Sequence, residues 1–226
     1  MDSRNETAFR TAADQAYAML KRRILAGDIV PGRKIDQDAE ARRLLLSRMP
    51  IREAIRRLEV EGLVDVVRHR GVVVKPLGLD DLEDLYFLRI ELESLAVRLG
   101  ARAIREDAIS AMRKLVPKLR DLTSGDNLAV WLELDGNFHD VIFAAANRPR
   151  LYVQIRSLRQ EAERYRSLRH AKPIELRLGL QHHRQMIAAC ERKNGEEAER
   201  LMRIAMERSL GIVRKLLITW RDANRG

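Results

Sequence analysis

Residues 46–64 read LSRMPIREAIRRLEVEGLV, and this stretch decides the fold of the first third of the chain. Ser47 offers a side-chain oxygen at a helix N-cap, and Pro50 falls in the first turn, where a missing N–H breaks no helical hydrogen bond. Ile51, Ala54, Ile55 and Leu58 recur at helical spacing as one apolar stripe, while Arg48, Arg52 and Arg56 follow at four-residue steps on another face. Gly62 supplies the left-handed conformation that ends a helix. Beyond it, Val64, Val66 and Val67, then Val72 to Val74, are β-branched and predict a hairpin with the basic tip Arg68-His69-Arg70-Gly71. An arginine stripe alone is more often a solvated helix face. A capped arginine helix that follows a short helix and precedes a basic hairpin is the layout of a winged helix-turn-helix, and points to nucleic acid.

The stretch Ser47-Arg48-Met49-Pro50-Ile51-Arg52-Glu53-Ala54-Ile55, with Leu58 to Leu63 behind it, resembles the recognition-helix signature of GntR-type bacterial transcription regulators. Upstream, Tyr17 to Ala26 followed by Gly27-Asp28-Ile29-Val30-Pro31-Gly32 is similar to the first helix and Gly-Pro-Gly loop of that family. The likeness spans residues 10–76. It departs at two positions: Leu45 stands where the family usually has Gly before the recognition helix, and Glu40 where it has Leu in the second helix.

The whole chain agrees with such a partner. It has 226 residues, is 46% hydrophobic, and carries a formal charge of +10, enough for two modest cores and an affinity for polyanions. Residues 1–76 hold 16 Lys and Arg against 11 Asp and Glu, a denser positive charge than in the remainder, with 27 against 22. The single cysteine, Cys190, excludes an internal disulfide framework. No apolar run approaches the roughly 20 residues that span a bilayer, and Met1 to Arg10 lack an apolar leader core, so a cytoplasmic protein without a membrane partner is expected.

From Leu79 onward the pattern becomes long helical periodicity, with breaks near residues 123–126, 147–149, 172–173 and 194–195. About six helices follow, the first carrying Leu82, Leu85, Leu88, Leu92, Leu95 and Leu99 and the last running from Glu196 to about Ala223. The expected architecture is mainly α: a winged helix-turn-helix domain over 1–76 and an all-α bundle over 77–226, joined by the short segment Lys75-Pro76-Leu77-Gly78.

Asp135 and His139 lie one turn apart on one helix face, and His183 lies on a later helix. Carboxylate and imidazole suit a divalent ion such as Zn²⁺, Ni²⁺ or Mn²⁺. The alternative is an ordinary i,i+4 polar pair and a satisfied core or surface histidine. His182, next to His183, is expected to face solvent. Arg89 sits within an apolar stripe and must find an anion or reach the surface; a ligand carboxylate and the side chain of Glu93 are equal candidates. Trp131, Tyr152 and Tyr165 are core residues or line a cavity that holds such a ligand.

Asp80-Asp81-Leu82-Glu83-Asp84-Leu85-Tyr86-Phe87-Leu88-Arg89 with Leu92 and Glu93, Asp135 to His139, and His183 to Ala189 resemble the ligand-sensing FCD domain of the FadR branch of the GntR family. The resemblance implies an effector cavity lined by Arg89 and, in metal-binding members, ligands from one Asp and three His. Counted from His183, the third His is replaced here by Ala205, which has no donor atom. The expectation is therefore a homodimeric regulator, a repressor, on double-stranded operator DNA. Arg48 and Arg52 read bases; Ser47, His69, Arg70 and the Gly71 backbone contact phosphate or minor groove; a small carboxylate metabolite binds near Arg89, Asp135, His139 and His183. Three rivals stand beside it: a metal sensor, an architectural DNA binder, and a metal-dependent all-α enzyme, the last lacking a visible general base or nucleophile.

Overall fold

The computed structural model describes residues 11–123, 127–168 and 173–223. The polar start of the chain and the expected breaks at 124–126 and 172 lie outside the described residues. The chain divides into two compact units: residues 1–78 with 160–167, and residues 79–159 with 168–226.

In the first unit, α1 (Ala12–Ala26) starts earlier than the sequence suggested, because Thr11 caps it by accepting the N–H of Asp14 at 3.1 Å. The two-residue strand β1 (Lys34–Ile35) leads to α2 (Gln37–Leu44), capped by the Asp36 carboxylate, and to α3 (Arg48–Val60). Ser47 is the N-cap residue of α3, but its side chain makes no capping hydrogen bond, contrary to expectation. The apolar stripe Ile51, Ala54, Ile55 and Leu58 is buried as predicted. Gly62 has φ of +68°, and β2 (Val64–Val67) and β3 (Gly71–Val74) pair antiparallel, with Val64 opposite Val74 and Val67 opposite Gly71. Strand β1 pairs on the other edge of β3, giving the order β1-β3-β2. The core joins Leu20, Ile51, Leu58, Leu63 and Val72.

Both departures from the expected motif have local explanations. Leu45 takes the left-handed conformation (φ 55°, ψ 39°) that glycine ordinarily supplies after a helix, with its side chain 91% exposed. Glu40 forms an ion pair with Arg23 of α1, both only slightly exposed. Residues 160–167, distant in sequence, complete this unit. Lys21 contacts Glu61 and Glu163, each at 3.0 Å, and the Tyr165 hydroxyl donates to the Gly78 carbonyl at 3.1 Å. Tyr165 therefore belongs to the winged unit rather than to the surroundings of Asp135.

The second unit holds α4 (Leu79–Ala103), α5 (Glu106–Asp121), α6 (Leu128–Ala145), most of α7 (Pro149–Ala162), α8 (Pro173–Glu191) and α9 (Gly195–Ala223), with a 3₁₀ turn over Glu163–Leu168 following α7. Helix α4 packs on α6 and α9, and α8 packs on α5 and α9. Arg203 of α9 makes a bidentate pair with Glu91 of α4, both contacts at 2.7 Å. Gly100 permits the close crossing of α4 and α6: a Cβ there would lie 2.0 Å from the Ile142 carbonyl oxygen. Leu82 and Leu85 are buried as the periodicity implied, whereas Leu88 and its neighbour Phe87 are 47% and 65% exposed. No described helix is long and apolar enough to cross a membrane.

Candidate nucleic-acid interface and candidate metal centre

On α3 the cationic face is presented to solvent: Arg48, Arg52 and Arg56 are all exposed, opposite the buried stripe. The Arg48 guanidinium is held by Asp38 of α2, with Nη2 donating to Oδ2 at 2.7 Å. At the hairpin tip, His69 and Gly71 have φ of 65° and 81°, and this reversal leaves His69 and Arg70 exposed. Lys34, Asp65, His69 and Arg70 line one open groove along the sheet. A solvent-exposed cationic helix face and a basic wing on one apolar core match the two elements by which such a fold engages the major groove and the flanking backbone.

In the helical unit, Asp135 and His139 project from α6 and His183 from α8. One donor atom from each lies within 4.8 Å of the others. The His183 Nε2 donates to Asp135 Oδ1 at 2.9 Å, and the His139 Nδ1 donates to the Asp135 carbonyl at 2.8 Å. That second bond fixes the His139 tautomer and leaves Nε2 with its lone pair. His183 is fully buried between Phe138, at 4.3 Å between ring centroids, and Trp131, at 5.9 Å. Its Nδ1 has no hydrogen-bond partner among the described residues.

Electrostatics reinforce this arrangement. Burial pushes the Asp135 carboxyl up, but the His139 and His183 rings and Arg159 more than reverse it, holding the group well below the usual carboxylate range. Burial lowers His139, and Asp135 only partly opposes this. The group is thus a carboxylate facing two imidazoles, one of which, His139, burial biases away from its charged form, and this donor set suits a borderline divalent cation. With an orphaned ring nitrogen and a carbonyl-anchored tautomer, the residues fit a metal ion.

His182 differs from expectation. It is 6% exposed rather than solvent-facing, and its Nε2 stands 3.4 Å from that of His139. Burial, with the neighbouring His139 and His183, pushes its pKa down to about 3. A single buried face on α8 would leave His182 exposed, yet α8 has helices on two sides. Arg89 is paired with Glu93, Nε to Oε1 at 2.8 Å, and lies 4.9 Å from the Tyr86 ring centroid. Tyr152 is half-buried beside Arg156.

Comparison with known proteins gives two family matches: the bacterial regulatory proteins of the gntR family over residues 12–74, and the FCD domain over residues 84–208. The chain is 27% identical over 190 residues to the HTH-type transcriptional repressor RspR of Escherichia coli, covering 83% of this chain and 82% of that one. It is 32% identical over 154 residues to the Nta operon transcriptional regulator of Aminobacter aminovorans, covering 68% and 71%. Among solved structures, Escherichia coli McbR/YncC shares the fold with a TM-score of 0.75 at 23% identity, over 91% of this chain and 98% of that one. A GntR family regulator from Pseudomonas syringae matches with a TM-score of 0.56 at 29% identity, over 94% and 89%.

Proposed function

The chain belongs to the gntR family of bacterial regulatory proteins with an FCD domain, a family of transcription regulators rather than enzymes, and we propose that it is a homodimeric repressor released from its operator by a small carboxylate. The observation that carries the DNA-binding half is the exposed arginine face of α3 beside the basic wing on one core. Arg48 and Arg52 read base edges, while Ser47, His69, Arg70 and the Gly71 backbone hold phosphate or minor groove. Phe87 and Leu88, exposed on α4, supply apolar surface for a second copy, and two winged units then meet a two-fold operator.

The effector half rests on the group formed by half-buried Asp135 with buried His139 and His183. These three residues would hold a divalent ion, which when bound offers open coordination positions to a carboxylate. Arg89 donates through Nε to Glu93 and through Nη2 to Met206 Sδ, and its remaining N–H donors suit the same ligand class. Because the site lies in a core of packed helices, a ligand there favours one packing arrangement over another and shifts the population able to bind DNA.

The test uses purified full-length protein and a duplex selected in vitro from random sequence. Arg52→Ala should weaken binding about 5- to 150-fold at fixed salt, the loss of one bidentate base contact of roughly 1–3 kcal/mol, and relax the preference at one base position. Unchanged affinity and preference would remove Arg52 from the interface. Asp135→Ala and His139→Ala should leave operator affinity near wild type while abolishing release by carboxylates in a ligand screen. Release that survives both substitutions places the effector elsewhere.

A further inference from the structure

His182 and His183 are consecutive on α8, so their side chains leave the helix about 100° apart. A helix with one buried face would hide only one of them; here His182 is 6% and His183 0% exposed. The burial is directed. Both rings turn toward His139 of α6, and the three imidazoles form a nearly equilateral triangle: 5.4 Å between the centroids of His139 and His183, 5.6 Å between His139 and His182, and 5.8 Å between His182 and His183. Three imidazoles on one tetrahedral zinc, with Zn–N bonds of about 2.0–2.1 Å, place ring centroids about 5.2 Å apart and ligating nitrogens about 3.3 Å apart.

The His139 and His182 Nε2 atoms are 3.4 Å apart and meet almost head-on. That is longer than the roughly 2.7–3.2 Å expected of a nitrogen-donor hydrogen bond. A modest in-plane swing of the two rings, bringing their centroids about 0.4 Å closer, turns both lone pairs toward a shared point. His139 is prepared for this, since its Nδ1 is bound to the Asp135 carbonyl and only Nε2 is left to bind a metal. His182 adjoins both His139 and His183, and His183 in turn bonds to Asp135; the donor atoms of Asp135, His139 and His183 already lie within 4.8 Å of one another, and the His182 ring must turn to join them.

We propose that His182 is a ligand of this centre, supplying the third imidazole that Ala205 lacks, so that a divalent transition ion is held by Asp135, His139, His182 and His183. The inference rests on the metal reading of the Asp135–His139–His183 group. It goes beyond that reading by completing the donor set from a different position of the chain, on α8 rather than α9. An ion with four protein donors is held more tightly than one with three, and an effector carboxylate must then expand the coordination or displace a ring.

Zinc is the probe. Full-length protein stripped with chelator is titrated with Zn²⁺ against a chromophoric competitor, as wild type, His183→Ala, His182→Ala and His182→Gln. In parallel, wild-type protein labelled with ¹⁵N-histidine is followed through long-range ¹H–¹⁵N spectra, which need no substitution to fold. The expected result is that zinc moves the ring-nitrogen resonances of His139, His182 and His183 among the five histidines, leaving His69 unmoved. Both His182 variants should then lose more than the roughly 10–100-fold in affinity that removal of an outer-sphere partner costs. If wild type binds zinc and His183→Ala abolishes it, but His182 resonances stay in place or the His182 variants bind as wild type, the proposal fails and the three-residue site stands. If wild type binds no zinc, both fail together.

Discussion

Replacing Leu45 by glycine should stabilise the protein, although it deletes a leucine. Leu45 ends α2 with φ 55° and ψ 39°, and its N–H and that of Leu46 donate to the carbonyls of Arg42 and Ala41 at 3.2 and 2.9 Å. This is a Schellman closure, whose geometry requires a left-handed residue. For an L-residue with a side chain that conformation costs about 1–2 kcal/mol. With 91% of Leu45 exposed, little packing energy is lost on removing the side chain. Glycine returns about 0.5–1 kcal/mol through the larger entropy of its unfolded chain, leaving a net gain of about 0.5–1 kcal/mol. If the winged unit unfolds as a cooperative block of fewer than 100 residues, its midpoint rises by about 2–8 °C. Calorimetry and urea titration followed at 222 nm measure this, with an unchanged m-value showing that the denatured state is not the cause. Leu45→Ala is the control, because it removes the side chain and keeps the strain. If Leu45→Gly proved no more stable than Leu45→Ala, the strain argument would be refuted.

Gly100→Ala should destabilise the helical unit by about 3 kcal/mol, the upper end for an overpacked core, because the added methyl meets the Ile142 backbone at 2.0 Å; a near-wild-type melting curve contradicts the crossing described. In metal-free protein, burial lowers the pKa of both His139 and His182, so below their usual value of 6.5 the unfolded chain binds protons that the folded chain refuses. Stability should therefore be flat above pH 7 and fall as pH drops from about 6.5, by about 1 kcal/mol per pH unit from His182, with His139 acting in the same direction; constant stability from pH 7 to 5 counts against their neutral burial. Cys190 is fully buried and its thiol is pushed up to about 11, so Ellman's reagent at pH 8 should leave it unmodified until denaturant is added, whereas rapid native labelling would contradict its placement.

The DNA-binding half was legible because its signals are local and of different kinds. The α3 stripe is a period, Gly62 a stop, and the valines of β2 and β3 a β-branched run, so errors in one do not spread to the others. The turn at Leu45 was less legible, since nothing in a leucine announces a left-handed backbone; only the hydrogen bonds of α2 demand it. Strand β1 is two residues long and exists because β3 has a free edge, a fact of pairing rather than of composition. In the helical half, Asp135 and His139 were visible as an i,i+4 pair, but no spacing rule brings His182 inward. Its burial depends on α8 having neighbours on two sides, which is tertiary information. Arg89 shows the same limit: an i,i+4 acid and a distant ligand look alike in one dimension, and the structure pairs it with Glu93.

The return of residues 160–167 to the winged unit bears on how regulators of this build can be recombined. A fragment cut at the apparent linker, ending near Gly78, would keep Lys21 and Glu61 but forfeit Glu163, and would keep the Gly78 carbonyl while losing the Tyr165 hydroxyl that caps it. The same holds for a chimera that grafts the first 78 residues onto a foreign sensor. Interchangeable modules in this architecture are therefore defined by three breakpoints rather than one, and a transplanted DNA reader should carry its eight-residue insert with it.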